Sequence, residues 1–536
     1  MNRAEKTFAV LLTIAYSLAL VAGMFYRFVD GDEGGTLVVS KEVINGRIPV
    51  LEINAHNQPL LYYFYGAWMK LFGFSITSGR SLSVLLMFAT GVLLLWWARR
   101  FSRDYIVAIL LYFLYVTNLT FFKADIPVKP FAPSNFLTFA SFALLTGSYL
   151  RGGSIGGLTF FLSGLLLGMS LAVRLVFVLP VLFVLWIVFV LLRNGAGVKD
   201  TVKKAAQFSF GVVVPLVPSA LIFIREPLRA YTIWAGAYAQ IYLGKGNNPD
   251  FVVDANGANK HAMILSGLKD VVTVPDTAFL ILLVAAAGMV VLFTSWRKNC
   301  GRVKSEVYLL AFLTFGAIAW VCSNLYGNYT AYVNQLVVFA ILLTLPLMEE
   351  AAKRLNARRL AAALLVFIVV MPAFLYVHFQ RRLHTSIFYM LRTDDRIITP
   401  AFVNAVSQDV IKKFTREGDT VLDGWGAFVF ASGRRPVAGF EYPTDDGFFW
   451  HLMTNKENAA KYLFIPEPEL FRRVANREFP LVILGDATEL EKLVVGEKWR
   501  HASYPLRDEV EKHYDIYAKY FVKPTNAWVL IYRPKR

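Results

Sequence analysis

Apolar runs of bilayer-crossing length recur along this chain from residue 7 to residue 378, and that repetition decides most of its architecture. Inside hydrocarbon every backbone N–H and C=O must find its partner within the protein. Repeated runs of this kind therefore fold as a bundle of membrane helices. The runs fall near 7–27, 80–98, 104–121, 133–150, 156–172, 175–192, 206–224, 277–295, 306–323, 332–348 and 359–378, about eleven spans at the ~20 residues each one needs. Composition supports the reading. Hydrophobic residues make up 56% of the chain and charged residues only 17%, too little charge for a soluble domain of this length. The first run has a basic flank, Arg3 and Lys6, but its apolar stretch is too long for a cleaved signal and reads as a retained anchor.

Lys and Arg in the short loops set the orientation. One alternate set of loops carries Arg99, Arg100 and Arg103, then Arg193, Lys199, Lys203 and Lys204. It continues with Arg297, Lys298, Arg302 and Lys304, then Lys353, Arg354, Arg358 and Arg359. The opposite set holds Asp32 and Glu33, the Asp125 loop, residues 225–276 and the Tyr326 to Tyr332 loop. The basic set belongs in the cytoplasm with the N-terminus, and an odd number of spans places everything after about residue 379 outside. The net charge of +17 is then mainly a topology signal, with some attraction to anionic lipid headgroups, and nucleic acid is not an expected partner.

From residue 392 the pattern changes. Hydrophobic runs shorten to strand length in Thr420-Val421-Leu422, Val482-Ile483-Leu484 and Val529-Leu530-Ile531, and helical stretches at 399–414 and 466–477 alternate with them. The chain divides into a membrane domain, 1–391, and a small soluble α/β domain outside the membrane, 392–536. Gly424-Trp425-Gly426 follows a strand but lacks the full glycine fingerprint of a nucleotide loop. Cys300 and Cys322 fall at opposite sides of the membrane, and no Cys/His spacing suits zinc.

The chemistry concentrates in the first outer loop, 29–79. Asp32 and Glu33 stand where the first span ends, and ionisable groups at such a place are costly and kept for a purpose. Residues 33–45 read as a helix with a partly apolar face stopped by Gly46, and Pro59 opens a second helix. Tyr62, Tyr63, Tyr65, Trp68 and Phe72 on that second helix form an aromatic surface at headgroup level. Two such helices lying flat hold Asp32 and His56 over the mouth of the bundle.

The succession Asp32-Glu33, Gly46-Arg47-Ile48-Pro49, His56-Asn57-Gln58-Pro59-Leu60, Tyr62-Tyr63 and Lys70-Leu71-Phe72-Gly73 followed by Arg80 resembles the membrane glycosyltransferases of the GT-C superfamily. It is most similar to the bacterial branch containing lipid A aminoarabinose transferase, protein O-mannosyltransferases and lipopolysaccharide-core glycosyltransferases. The stretch Gly168 to Arg174 with Pro180, and the tail string from Gly424-Trp425 to Pro436, extend the resemblance. It implies a GT-C-like helical membrane domain in a bacterial inner membrane, with the C-terminal domain periplasmic. It also implies transfer of a sugar from a polyprenyl-phosphate carrier to a hydroxyl of a lipid, glycan or protein acceptor. By position Asp32 matches the family's first-loop catalytic acid and Asp125 its second-loop acid, although Asp125 is followed by Ile126-Pro127-Val128-Lys129-Pro130 before the next helix.

On that basis Asp32 is the expected general base, and Arg174 with Lys123 or Arg47 the expected clamp on the donor phosphate. Glu33 and Asp125 orient the base or, with Asp32, hold a divalent cation; no other cofactor is implied. His56, Gln58, Tyr62, Tyr326 and Tyr329 are the candidate substrate contacts. Plainer readings stand beside these. Asp32 can cap a helix beginning near Gly34, and Asp125 can be a solvated loop acid paired with Lys123 or Lys129. Arg174 can be a snorkelling anchor, His56 a structural residue, and the aromatics an interface belt. An ion-coupled transporter and a noncatalytic assembly protein are the alternatives of other classes. The lack of an internal repeat, the acids at span ends and the outer domain count against a transporter.

Overall fold

The computed structural model describes residues 3–102, 104–118, 124–152, 155–176, 178–236, 275–293, 301–325, 330–354, 398–442, 456–486, 504–522 and 527–536. Five helices open the chain: α1 (Arg3–Tyr26), α2 (Gly31–Ile44), α3 (Pro59–Phe72), α4 (Ile76–Ser102) and α5 (Tyr105–Val116). Further helices follow at Phe131–Gly152, Gly157–Val173, Val178–Arg193, Val198–Val213 continued to Arg225, Pro275–Phe293 and Arg302–Leu325, and a last pair at Thr330–Leu343 and Leu345–Arg354. Each expected span from 7–27 to 306–323 falls on one of these helices over its described residues, 332–348 falls across the last pair, and the run at 359–378 lies outside the described residues. Among the described residues, four helices are long and apolar enough to cross a bilayer, or five if the pair bent by 42° at residue 344 counts as one span.

Small residues bring the central helices together. A Cβ on Gly164 would lie 2.0 Å from the Phe208 carbonyl oxygen, and one on Gly168 would lie 2.3 Å from that of Val212. Helices in lipid associate by such close backbone approach, because tail hydrocarbon gives no hydrophobic drive between them.

Polar links mark the two ends of the bundle. At one end Glu306, 3% exposed, accepts from Tyr149 Oη at 2.5 Å and from Arg302 Nε at 3.0 Å, with Arg193 3.5 Å away. At the other end of the same Phe131–Gly152 helix, Asn135 reaches Asp125. Fourteen residues separate Asn135 from Tyr149, a rise of ~21 Å.

The C-terminal part is a five-stranded sheet in the order β2-β1-β3-β5-β4, from β1 (Thr420–Asp423), β2 (Arg435–Pro436), β3 (Val482–Asp486), β4 (Tyr514–Val522) and β5 (Ala527–Pro534). β1 runs parallel to β2 and β3, whereas β5 is antiparallel to β3 and β4. Strand alternation gives it two cores. Val421, Ile483, Val529 and Ile531 join Leu37, Val39, Tyr62 and Tyr65 of α2 and α3 in one cluster. Leu422, Val482, Leu530 and Tyr532 close a second cluster with Val437, Tyr462, Leu470 and Val510 on the far face. One face of the C-terminal sheet thus shares its core with the segment between α1 and α4.

Candidate active site

The helix carrying the two acids begins earlier than expected. Asp30 is its N-cap and accepts from the Glu33 backbone N–H at 3.0 Å, so Asp32 stands in the first helical turn and does not cap it. Acids in that turn suit the positive end of the helix dipole. The stop at Gly46 is as expected, since this residue takes φ +109°. Residues 33–40 are buried all round, where a half-apolar surface helix was expected. The cause is the C-terminal part of the chain: α2 is covered by the bundle on one side and by residues 425–442 on the other. Trp425 Nε1 donates to the Val29 carbonyl at 3.1 Å, and Tyr442 Oη donates to the Asp32 carbonyl at 3.1 Å. Gly35 lies against the Tyr442 ring, where a Cβ would come within 2.8 Å.

The neighbouring acids have different surroundings. Glu33 is fully buried and takes a two-pronged bond from Arg80, Nε to Oε1 at 2.7 Å and Nη2 to Oε2 at 2.6 Å, with the Val128 N–H on Oε1 at 3.0 Å. Arg80 also donates to the carbonyls of Met24, Arg27 and Phe28, tying the end of α1 to α4. The Asp32 side chain keeps 47% exposure, and its Oδ2 lies 2.9 Å from Lys129 Nζ. Lys129 bridges to Asp30 Oδ1 at 3.0 Å. Burial alone would lower the Lys129 pKa, but Asp30 and Asp32 outweigh it and hold the ammonium well above its usual range. Burial likewise works to raise Asp30, and Lys129 with Arg27 pulls it below the ordinary carboxylate value.

Asp125 is 2% exposed, so it is no solvated loop acid, and its partners are amides instead of Lys129. Asn135 Nδ2 donates to its Oδ2 at 3.1 Å, and Asn334 Nδ2 donates to its Oδ1. Burial raises its pKa to about 8, against the opposing pull of the two amides and of the Arg174 charge. Arg174, 7% exposed, ends the Gly157–Val173 helix with its guanidinium 4.9 Å from the Phe131 ring centroid. That burial counts against the plainer reading of Arg174 as a snorkelling anchor. Beside this group, Ser134, Asn135, Thr138 and Gln335 line a cavity of about 10 Å³ with Val338 and Phe339, room for a single water.

The remaining candidates separate. His56 is buried, 4.9 Å from the Tyr442 ring, and burial pushes its pKa down to about 3, so the imidazole is neutral. Gln58 is the N-cap residue of α3, buried beside it in sequence, with its Oε1 lacking a hydrogen-bond partner among the described residues. Tyr62 is buried and accepts from the Asn57 N–H at 3.1 Å. Tyr65 also leaves the expected aromatic surface: its hydroxyl reaches Ser83 at 2.7 Å and the Lys129 carbonyl at 3.1 Å. The outward face of α3 and its end is Tyr63, Leu71, Phe72 and Phe74, with Trp68 half-buried. Arg47 is drawn to the C-terminal part of the chain, Nη1 donating to Glu441 Oε1 at 2.7 Å, while burial raises the Glu441 pKa and Arg47 opposes it. Lys123, Tyr326 and Tyr329 lie outside the described residues. The described residues gather no group of three His, Cys, Asp or Glu side chains that would hold a metal ion.

Sequence reasoning missed Asp30 as the cap, Lys129 as the partner of Asp32, and Tyr442 as the contact from the C-terminal part of the chain. Only Asp30 left a local signal, an acid three residues ahead of Glu33 at a helix start.

No family model matches the chain, and no curated protein matches it. Two solved structures of ArnT from Cupriavidus metallidurans do resemble it. The one bound to undecaprenyl phosphate superposes with a TM-score of 0.61 at 14% identity, and the apo form with 0.58 at 12%. In both cases the match covers 98% of this chain and 98% of the other. This chain therefore has, over nearly its whole length, the membrane-protein fold seen in ArnT.

Proposed function

We propose that the protein is a membrane glycosyltransferase that moves a sugar from a polyprenyl-phosphate carrier to a hydroxyl acceptor at the outer face of the membrane. The observation that carries this reading is the contrast between Asp32 and its neighbours. Glu33 and Asp125 are buried and fully engaged, whereas Asp32 keeps 47% exposure on a helix turn fixed from both sides. The shared fold adds support, since one of the ArnT structures holds undecaprenyl phosphate. The basic connections at Arg193 and Arg302 meet at the far end of the bundle, in keeping with a cytoplasmic placement of that end.

The chemistry follows from the donor. A polyprenyl-phosphate sugar carries its own leaving group, so the protein has to accept the acceptor's proton and stabilise the departing phosphate. Asp32 takes the hydroxyl proton as the acceptor oxygen bonds to the anomeric carbon. The bond from that carbon to the phosphate oxygen breaks, and the electron pair leaves with the phosphate. Attack opposite the leaving group inverts the anomeric centre. A general base so placed contributes roughly 10²–10⁴-fold. Glu33, through Arg80 and Val128, acts as the strut that fixes the Asp32 turn. Asp125 and Arg174 form a separate buried polar group.

The test is mass analysis of envelope lipids, glycans and proteins from cells with and without the chain. A species heavier by one sugar residue should vanish with the gene and return with the wild-type protein. Identical spectra, together with no transfer by purified protein from any polyprenyl-phosphate sugar, would remove the reading.

A further inference from the structure

Among the described residues, Lys129 is the one cation paired with Asp32. It comes from a strap that is itself tightly held. The Val128 N–H donates to Glu33 Oε1 at 3.0 Å, Ser83 Oγ donates to the Pro127 carbonyl at 3.2 Å, and Tyr65 Oη donates to the Lys129 carbonyl at 3.1 Å. The backbone is fixed while the ammonium reaches out to two carboxylates. Asp30 Oδ1 at 3.0 Å and Asp32 Oδ2 at 2.9 Å share it, and the Lys129 side chain keeps 15% exposure. The other charges here are already committed. Arg80 is paired with Glu33 at 2.6 Å, and Arg27 stands 3.8 Å from Asp30.

We infer that Lys129 is a latch that passes from Asp32 to the phosphate of the lipid-linked donor, so that donor binding switches on the base. This rests on the proposed function. With the latch closed, the ammonium occupies Oδ2 of Asp32 and that oxygen is not free to take a hydroxyl proton. A phosphate entering beside the pair offers several strong acceptor oxygens and competes for the ammonium. The exchange releases Oδ2 toward the acceptor and brings a cation to the oxygen that will carry the departing electron pair. Asp30 stays in place throughout, held by its own cap bond to Glu33 N–H, and keeps Lys129 within reach of both positions.

Equilibrium binding of undecaprenyl phosphate, which carries no sugar and cannot turn over, tests this on the full chain in lipid nanodiscs. Lys129→Gln should weaken binding roughly tenfold or more, as expected for loss of one charged hydrogen bond. Lys129→Arg should stay within about threefold of wild type, since the charge is kept. Asp32→Asn should tighten binding roughly three- to tenfold, because the carboxylate competing for the ammonium is gone. In transfer assays Lys129→Gln should raise KM for the donor by a similar factor as it weakens binding. A lysine that merely props up the strap would not make Asp32→Asn bind more tightly, and that arm decides the matter even if Lys129→Gln fails to fold. Unchanged or weaker binding by Asp32→Asn overturns the latch alone. No binding by the wild-type protein removes the proposed function and the latch together.

Discussion

A Cβ on Gly34 would lie 2.0 Å from the Trp425 carbonyl oxygen and 2.6 Å from the Ala427 nitrogen. The glycine that follows Asp32-Glu33 is therefore the point where the acid-bearing helix meets the C-terminal part of the chain backbone to backbone. Gly426 completes the contact from the other side with φ +70°. The glycine turn after β1 serves as a docking surface for α2.

Gly34→Ala should push the two layers apart. Overpacking of this kind costs about 1–3 kcal/mol, and here the obstructing atoms are backbone. The expected outcome is a lower thermal midpoint in detergent, faster protease release of the C-terminal domain, and loss of activity. Gly316→Ala, inside the Arg302–Leu325 helix with nothing within 4 Å of the added atom, is the control and should be at least as stable as wild type. Equal protease resistance of the Gly34 variant would show that the contact is not needed for docking.

The Glu33–Arg80 pair makes a different prediction. Both side chains are fully buried, and the guanidinium also satisfies three backbone carbonyls at the end of α1. Glu33→Gln removes one charge and leaves the other buried, a change that typically costs about 3–5 kcal/mol. Loss of folded protein, or a steep fall in thermal midpoint, is expected. A variant with wild-type stability and no activity would instead assign Glu33 a direct chemical role.

The sequence revealed most where one residue type has one use. Apolar length located the helices, and Pro59 and Gly46 marked where α3 starts and α2 stops. Long-range partners were hidden. Tyr65 reads as interface aromatic because Ser83 and the Lys129 carbonyl, its partners, lie 18 and 64 residues away. Lys129 meets Asp32 across 97 residues, and no local pattern distinguishes it from a solvated lysine. Asp30 and Asp32 offer the same capping chemistry two positions apart, and only backbone dihedrals separate cap from first turn. The all-round burial of α2 was illegible because its cover comes from residues some four hundred positions later.

Asp125 predicts a pH dependence of stability. Its carboxyl is raised from 3.8 to about 8 by burial, so folding takes up a proton there between roughly pH 4 and pH 8. Over that window the unfolded chain is ionised and the folded one is not, and this group's contribution to stability declines as pH rises. Asp125→Asn removes the titration. The difference in thermal midpoint between variant and wild type should therefore move in the variant's favour from pH 5 to pH 8, and then level off. A difference independent of pH across that range would mean that Asp125 is charged in the folded protein.

The central prediction concerns Asp32 and Asp30 as a pair. Asp30 caps α2 and shares Lys129, whereas Asp32 holds an exposed carboxylate in the first turn. Asparagine caps a helix as well as aspartate does, so Asp30→Asn should keep α2 in place, lose some stability because Arg27 and Lys129 lose a carboxylate partner, and lose activity only modestly. Asp32→Asn keeps size and helix geometry but removes the group that accepts the proton. Transfer should fall by roughly 10²-fold or more at saturating donor and acceptor. The fall should appear in kcat, because the variant still binds the carrier. Near-normal turnover by purified Asp32→Asn protein would rule out Asp32 as the base. Equal losses in both variants would instead point to the shared salt bridge, and not to proton transfer, as what the reaction needs from this corner of the site.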